Sequence, residues 1–168
     1  MSDIIKKLIK IIKDAGEVMA GAHSIDNGDV SSKEGSANFV TVYDVKIQEL
    51  LMSEIKKAVP DALFIAEEKE NDSSVLMGEH CFIIDPIDGT TNFIHDYRHS
   101  CISLAMFSKG EAVFGAVYDP YLKEFFRAEK GNGAFLNDAP MKVSSRKMSE
   151  AVVAYGTSPY YKSTLSEK

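Results

Sequence analysis

The most informative stretch of the chain is Ile83-Ile84-Asp85-Pro86-Ile87-Asp88-Gly89-Thr90-Thr91-Asn92-Phe93. It starts in a short apolar run of the kind that forms a buried strand, and it continues into two aspartates. The residues from Gly89 onward favour the start of a helix. The stretch therefore predicts a strand, an acidic cluster at the end of that strand, and a helix that begins beside the cluster.

The acidic residues of this stretch have the chemistry of a magnesium site. Asp85, Asp88 and the Ile87 carbonyl oxygen would meet Glu67, which follows the preceding strand-like run, at one edge of a sheet. Hard oxygen ligands suit Mg²⁺, and carboxylates this close repel one another unless cations neutralise them. The spacing alone supports a second interpretation equally well, a strand-terminating turn in which Asp, Pro and Gly have their usual roles.

Residues 89–92 would place backbone N–H groups and the positive end of a helix dipole beside the acidic cluster. Metal ions next to a helix N-terminus predict a phosphate-binding site. Two other phosphate-binding motifs are not found. There is no P-loop sequence, and Gly131-Asn132-Gly133 lacks the third glycine of a dinucleotide-binding motif. This glycine pair is interpreted as a turn.

The rest of the pattern predicts two helices followed by strands. Apolar residues at helical spacing predict an amphipathic helix over residues 3–22. A second helix is expected to begin near Thr41, whose hydroxyl would cap it with Asp44 three positions on, and to end before Pro60. The polar residues 24–38 are interpreted as a long mobile loop.

Six short apolar runs predict strands: residues 62–66, 81–84, 101–107, 112–118, 123–128 and 134–136. The last four form a meander, so the expected architecture is an α+β fold in which a helix pair packs on one side of a mainly antiparallel sheet. Residues 151–155 resemble a further strand without a partner. We therefore expect an N-terminal α+β metal-binding domain over 1–150 and the start of a truncated second domain over 151–168.

The composition limits the classes of partner. The chain has 168 residues, 45% of them hydrophobic, and a formal net charge of −6. It lacks the clustered lysine and arginine residues that a nucleic-acid-binding protein uses. It also lacks an apolar run near the roughly 20 residues that a membrane span needs. A cytoplasmic protein without nucleic-acid or membrane partners is predicted.

Cys81 and Cys101 indicate neither a disulfide framework nor a zinc site, and both are expected to be buried as small apolar side chains.

The opening stretch resembles the signature of the inositol monophosphatase family, the lithium-sensitive, Mg²⁺-dependent sugar and inositol phosphatases. Three further segments support the resemblance in chain order: residues 39–44, residues 65–68, where Ala66 replaces a usual glycine, and residues 115–120. The similarity runs from the first helix almost to the end of the chain. It implies the family's layered αβαβα sandwich.

The resemblance implies a metal site with two or three Mg²⁺ ions. Glu67, Asp85 and the Ile87 carbonyl would hold the first ion, Asp85 and Asp88 would hold the second, and Glu67 would assist a third. Glu67, Ile87 and Asp88 would also lie against the substrate. The ions would activate a water molecule for in-line attack on phosphorus and stabilise the leaving alkoxide.

The resemblance also implies roles for residues outside the metal set. Thr90 paired with Asp44 would orient and deprotonate the attacking water, and Glu67 would share in catalysis. The N–H groups of Gly89 and Thr90 would hold the phosphate. Lys33, in the predicted loop, would help to order the site, whereas Thr41 is interpreted as a helix cap.

The function that follows is a Mg²⁺-dependent phosphomonoesterase for inositol monophosphate or a similar small polyol or sugar phosphate, expected as a homodimer. Two alternatives stay open: a fructose-1,6-bisphosphatase or dual-specificity phosphatase of the same superfamily, and a non-catalytic or regulatory family member. A haloacid-dehalogenase-type phosphatase is disfavoured, because that family separates its two aspartates by one residue and here two residues separate Asp85 and Asp88.

The sequence departs from the family pattern in length. Family chains continue through a second sheet whose Trp-Asp motif completes the second metal site, and this motif is absent from residues 1–168. Two expectations follow: the sequence is a fragment of a longer protein, or it is a truncated product with an incomplete metal site. The unpartnered strand predicted at 151–155 favours the fragment.

Overall fold

The computed structural model describes residues 3–22, 30–32, 39–66 and 73–154. Its first helix, α1, runs from Asp3 to Ala20 and buries one apolar face, as predicted. It ends two residues earlier than expected, where the N–H of Gly21 donates to the Glu17 carbonyl.

The second helix, α2 (Val42–Ala58), confirms the prediction of its cap. Thr41 is the N-cap, and its side chain accepts hydrogen bonds from the N–H groups of Tyr43 and Asp44. The Asp44 side chain accepts in return from the Thr41 backbone, which completes a capping box. The apolar side chains of α2 pack beside α1, and Val59 and Pro60 follow the last turn.

A seven-stranded sheet forms the centre of the described structure, in the spatial order in which its strands occur along the chain. All neighbours are antiparallel except the first pair, which is parallel. Two earlier strands, β1 (Val30–Ser32) and β2 (Phe39–Thr41), form a separate two-stranded sheet. The strands of the large sheet are β3 (Leu63–Ala66), β4 (Cys81–Asp88), β5 (Cys101–Ser108), β6 (Glu111–Asp119), β7 (Glu124–Glu129), β8 (Gly133–Leu136) and β9 (Ala139–Met141). Short 3₁₀ turns lie at Ser73–Met77 and Met148–Glu150, and the helix α3 (Thr90–Ile94) lies between β4 and β5.

Strand β4 is longer than predicted, because it continues through Asp85 and Asp88 instead of ending at Ile84. Pro86 fits inside it for two reasons. The pairing with β3 ends at Ile84, so no described neighbour on that side needs a donor from Pro86. The pairing with β5 also shifts between Asp85 and Asp88, and proline is tolerated at such bulges. The turn interpretation of these aspartates is therefore wrong.

Both long helices pack on one face of the sheet. Ile84, Leu104 and Ala116 are opposite one another on adjacent strands and are buried in the same core as the apolar faces of α1 and α2. Residues on the other face, such as Ala105 and Val117, are half-buried or exposed. The predicted one-sided α+β arrangement is confirmed, and none of the helices in the described ranges is both long and apolar enough to cross a membrane.

Two segments differ from the sequence prediction. Val30–Ser32 (β1) pairs antiparallel with Phe39–Thr41 (β2), so part of the predicted loop 24–38 is a strand. Residues 23–29 and 33–38 lie outside the described residues. The strand expected at 151–155 is wrong for residues 151–154, which are exposed and irregular, because no strand of the described structure pairs with them. The domain boundary at residue 150 stays a prediction.

Gly16 is expected to be intolerant of a side chain although it lies inside a helix. Alanine normally gains about 0.5–1 kcal/mol over glycine there. A Cβ at Gly16 would lie 2.6 Å from Cδ1 of Tyr118, a buried ring packed on Phe125. Overpacking of this kind costs about 1–3 kcal/mol, so Gly16→Ala should lower the melting temperature. Lys7→Ala on the exposed side of α1 is the control, and an unchanged melting temperature for Gly16→Ala would contradict the packing.

Candidate active site

Three elements meet at the carboxyl end of β4. The last residues of β4 supply Asp85, Ile87 and Asp88, α3 begins with Thr90, and the first turn of α2 supplies Asp44. Thr90 and Asp44 are 46 positions apart in sequence and share a hydrogen bond. The fold thus brings together Asp44, Thr90 and the acidic end of β4, which are among the predicted site residues.

The Asp44 carboxylate is fixed by donors on both of its oxygen atoms. Oδ2 accepts hydrogen bonds from the Thr41 backbone N–H at 2.7 Å and from the Thr41 hydroxyl at 2.6 Å. Oδ1 accepts from the Thr90 hydroxyl at 3.2 Å. Only 1% of Asp44 is exposed, so these three donors take the place that water would have around a surface carboxylate.

Burial raises the pKa of the Asp44 carboxyl, and the hydrogen bonds from Thr41 and Thr90 partly offset that rise. Desolvation disfavours the charged form, whereas donors that point at the oxygens favour it. A raised pKa makes a carboxylate a better proton acceptor near neutral pH. Asp44 is therefore suited to take a proton through Thr90.

The Thr90 hydroxyl lies between two acceptors. Besides Asp44 Oδ1, the Ile87 carbonyl oxygen lies 3.0 Å from Thr90 Oγ1. A hydroxyl has one proton and two lone pairs, and a carbonyl oxygen has two lone pairs. The single Thr90 proton is therefore donated to one of the two acceptors at a time. When it is donated to Asp44, the Thr90 lone pairs can accept a hydrogen bond from a third group, and the lone pairs of the Ile87 carbonyl are available to a cation.

The two aspartates of β4 differ in exposure and surroundings. Asp85 is half-buried and lines a cavity of about 400 Å³ with Ala66 and Ser103 on the face of the sheet away from the helices. Asp88 is exposed and lines a cleft of about 420 Å³ with Gly89 and other residues. The described residues contain no group of three His, Cys, Asp or Glu side chains that could hold a metal ion.

Negative charge nevertheless accumulates at this edge. The pKa of the Cys101 thiol is raised to about 12, first by burial and then by the charges of Asp88, Asp85 and Asp119. Burial disfavours any charged group, but the part of the rise that comes from the three aspartates reflects negative charge that would attract a cation. Two carboxylates and the Ile87 carbonyl are also oxygen donors of the kind that Mg²⁺ takes, so the residues present fit such an ion.

Gly89 is the N-cap of α3 and lies in the left-handed region, with a φ of 91°. A Cβ there would approach the His99 carbonyl oxygen to 3.1 Å. The loop that supplies this carbonyl is held in place, because Asn92 Nδ2 donates to the same oxygen at 2.7 Å. Only glycine fits this turn without strain, and α3 begins beside Asp88 as the sequence predicted.

Three residues remain to be placed: two that the sequence assigned to the site, and one that it did not. Glu67 and Lys33 lie outside the described residues. Cys101 is half-buried rather than buried, and its thiol lies 3.9 Å from Asp88 Oδ2. No local sequence signal reveals this neighbour, because it arises from the pairing of Asp88 with Cys101 across β4 and β5.

A family model described as "Inositol monophosphatase family" matches residues 1–168. The chain belongs to this family. Among curated family relatives, an inositol-1-monophosphatase of Rhizobium meliloti is 38% identical over 158 residues, which is 93% of this chain and 59% of the relative. A fructose-1,6-bisphosphatase/inositol-1-monophosphatase of Thermotoga maritima is 38% identical, over 86% of this chain and 55% of the relative. The Nus factor SuhB of Vibrio cholerae is 33% identical, over 99% and 62%.

Solved structures of family members have the same fold. A Thermotoga maritima IMPase superposes with a TM-score of 0.77 at 36% identity, covering 86% of this chain and 55% of that protein. An IMPase/NADP phosphatase complexed with Mg²⁺ and phosphate gives a TM-score of 0.69 at 30% identity, covering 82% and 51%. The chain spans little more than half the length of these family members.

Proposed function

We propose that the protein is a Mg²⁺-dependent phosphomonoesterase that hydrolyses inositol monophosphate or a similar small polyol or sugar phosphate. The observation that carries the proposal is the hydrogen bond between half-buried Thr90 and buried Asp44, because the Thr90 hydroxyl also contacts the Ile87 carbonyl at the acidic end of β4. Family membership supports the reaction class. The Mg²⁺ and phosphate complex of the related IMPase/NADP phosphatase supports the metal.

The ligand assignment in this proposal follows the oxygen donors of β4. Asp85, the Ile87 carbonyl and Glu67 would hold one ion, and Asp85 with Asp88 would hold a second. Glu67 would assist a third. When bound, Mg²⁺ lowers the pKa of coordinated water and stabilises the charge of the leaving alkoxide.

The proton path in this proposal uses groups whose hydrogen bonds are already in place. Thr90 Oγ1 accepts a proton from the attacking water and passes its own proton to Asp44 Oδ1, 3.2 Å away. The water oxygen forms a bond to phosphorus as the bond from phosphorus to the ester oxygen breaks, and the released alkoxide takes a proton from solvent while Asp44 returns its proton to solvent. The N–H groups of Gly89 and Thr90 hold the phosphate, and Lys33 helps to order the site.

A second candidate is a regulatory, non-catalytic role, which the relative named Nus factor SuhB supports. If the protein is a phosphatase, the relative named fructose-1,6-bisphosphatase/inositol-1-monophosphatase supports a substrate range that includes fructose 1,6-bisphosphate as well as inositol monophosphate. Both alternatives retain the fold and the family membership. They differ in turnover and in the substrates that are hydrolysed.

The test is phosphate release by protein expressed from the complete reading frame, because this chain spans little more than half the length of its relatives. Inositol 1-phosphate and fructose 1,6-bisphosphate are compared with and without Mg²⁺, and Thr90→Ala is the matched inactive variant. Release that requires both Mg²⁺ and Thr90 supports the phosphatase. If a folded protein releases no phosphate from either substrate, the regulatory role becomes the better account.

A further inference from the structure

The Thr41 hydroxyl does more than cap a helix. As an N-cap it accepts hydrogen bonds from the N–H groups of Tyr43 and Asp44, at 3.1 and 3.3 Å. It also uses its single proton, which it donates to Asp44 Oδ2 at 2.6 Å. An N-cap needs only the acceptor function, so this donated proton calls for a separate explanation.

The donation determines which Asp44 oxygen is left for the active site. Oδ2 receives both the Thr41 hydroxyl and the Thr41 backbone N–H, which leaves Oδ1 for Thr90. Thr41 is 2% exposed, so water does not compete for these bonds. Without the Thr41 hydroxyl, Oδ2 would keep only the backbone N–H, and the longer bond from Thr90 to Oδ1, at 3.2 Å, would be the other restraint on the carboxylate.

We propose that Thr41 is a positioning residue whose hydroxyl proton locks the Asp44 carboxylate so that Oδ1 faces Thr90. This inference rests on the proposed function, because the locked oxygen is the proton acceptor of that reaction. Thr41 is not among the groups proposed to bind metal or phosphate, and it acts through its hydrogen bonds to Asp44. Because Thr41 ends β2 and precedes α2, the lock also fixes the orientation of Asp44 relative to both elements.

Three substitutions distinguish the positioning of Asp44 by Thr41 from the role of Thr41 as the N-cap of α2. Thr41→Ser keeps the hydroxyl, and we expect its kcat to stay within about threefold of the original. Thr41→Gly removes the hydroxyl but stays a tolerated N-cap, which costs helix stability only a few tenths of a kcal/mol. We expect Thr41→Gly to lower kcat by about 10–100-fold with little change in KM, the range seen for residues that orient another active-site group.

Ile55→Val is the stability control, because it trims a buried side chain of α2 far along the helix from Asp44. It should lower the melting temperature at least as much as Thr41→Gly while keeping kcat. If Thr41→Gly keeps its rate, or if Ile55→Val loses as much rate, Thr41 is a cap and nothing more.

A second readout does not depend on turnover. In a crystal structure of Thr41→Gly, we expect the Asp44 carboxylate to turn so that Oδ1 lies beyond hydrogen-bond distance of Thr90 Oγ1, whereas Thr41→Ser keeps that contact. A carboxylate that stays in place in the glycine variant overturns the inference even if the protein proves to have no phosphatase activity. Absence of turnover in the original protein, with the carboxylate displaced in the variant, would reject only the proposed function.

Discussion

Asp44→Asn is expected to lower kcat by about 10²–10⁴-fold, the usual contribution of a general base, without lowering the melting temperature at neutral pH. The asparagine carbonyl oxygen can accept from the Thr41 N–H and hydroxyl as Oδ2 does now. Its amide can donate to Thr90 Oγ1, and the Thr90 proton then goes to the Ile87 carbonyl. The hydrogen bonds survive, and the proton acceptor is lost.

The sign of the stability effect follows from the pKa of Asp44. Folding raises this pKa, so the native state binds the proton more tightly than the unfolded chain does. The contribution of Asp44 to stability is therefore present at low pH and is lost as the pH rises through the folded pKa. Above that pH the buried carboxylate is charged, and the neutral asparagine avoids its desolvation.

The measurement is kcat together with thermal melts at neutral and mildly acidic pH. Asp14→Asn, at an exposed position of α1, is the control for loss of one charge. The stability advantage of Asp44→Asn over the original protein should shrink as the pH falls. An Asp44→Asn variant that keeps more than about a tenth of kcat would remove Asp44 from the proton path, since a base normally contributes far more.

Asp85→Asn carries the second large expected effect, a loss of Mg²⁺ affinity of at least about 100-fold, with turnover lost at ordinary Mg²⁺ concentrations. Two unit charges 4 Å apart attract by about 4 kcal/mol at an effective dielectric constant of 20, and a divalent ion is attracted more strongly. Asp85 is assigned to two ions in the proposal, so its carboxylate has the largest share in holding them. Calorimetric titration with Mg²⁺ measures the affinity.

Glu79→Gln is the matched control, because it removes one negative charge from an exposed pair with Lys109. A second readout needs no metal. Asp85 is one of the charges that raise the pKa of the Cys101 thiol, so the Asp85→Asn variant should alkylate at Cys101 at a lower pH than the original protein. Equal Mg²⁺ affinity in Asp85→Asn and Glu79→Gln would take Asp85 out of the metal site.

Much of the fold could be predicted, because the deciding signals are local. The apolar spacing of α1 and the Thr41–Asp44 capping box are both signals within a few residues. The structure confirms the two helices that they predict. The meander from β5 to β8 was also predictable, because its turns lie between short apolar runs. Strand β1 was missed because it has only three residues, with two serines that resemble a loop.

The site could be predicted only in part, because its contacts are distant in sequence. Spacing revealed Asp85 and Asp88, but it left a metal site and a strand-terminating turn equally open. Whether these residues form a turn depends on how the neighbouring strands pair with β4. The hydrogen bond between Thr90 and Asp44 followed only from the family resemblance, since no local rule joins residues 46 positions apart. The proximity of Cys101 to Asp88 was not predictable, because it arises from cross-strand register.

The most direct test of the metal-centred account is the anomalous scattering of Mn²⁺, used in place of Mg²⁺, in crystals of the protein from the complete reading frame. The account predicts at least one Mn²⁺ peak within coordination distance of an Asp85 carboxylate oxygen and the Ile87 carbonyl oxygen, and loss of that peak in Asp85→Asn. Mn²⁺ bound only elsewhere, or no Mn²⁺ bound at all, would contradict the assignment of this strand end as the catalytic metal site.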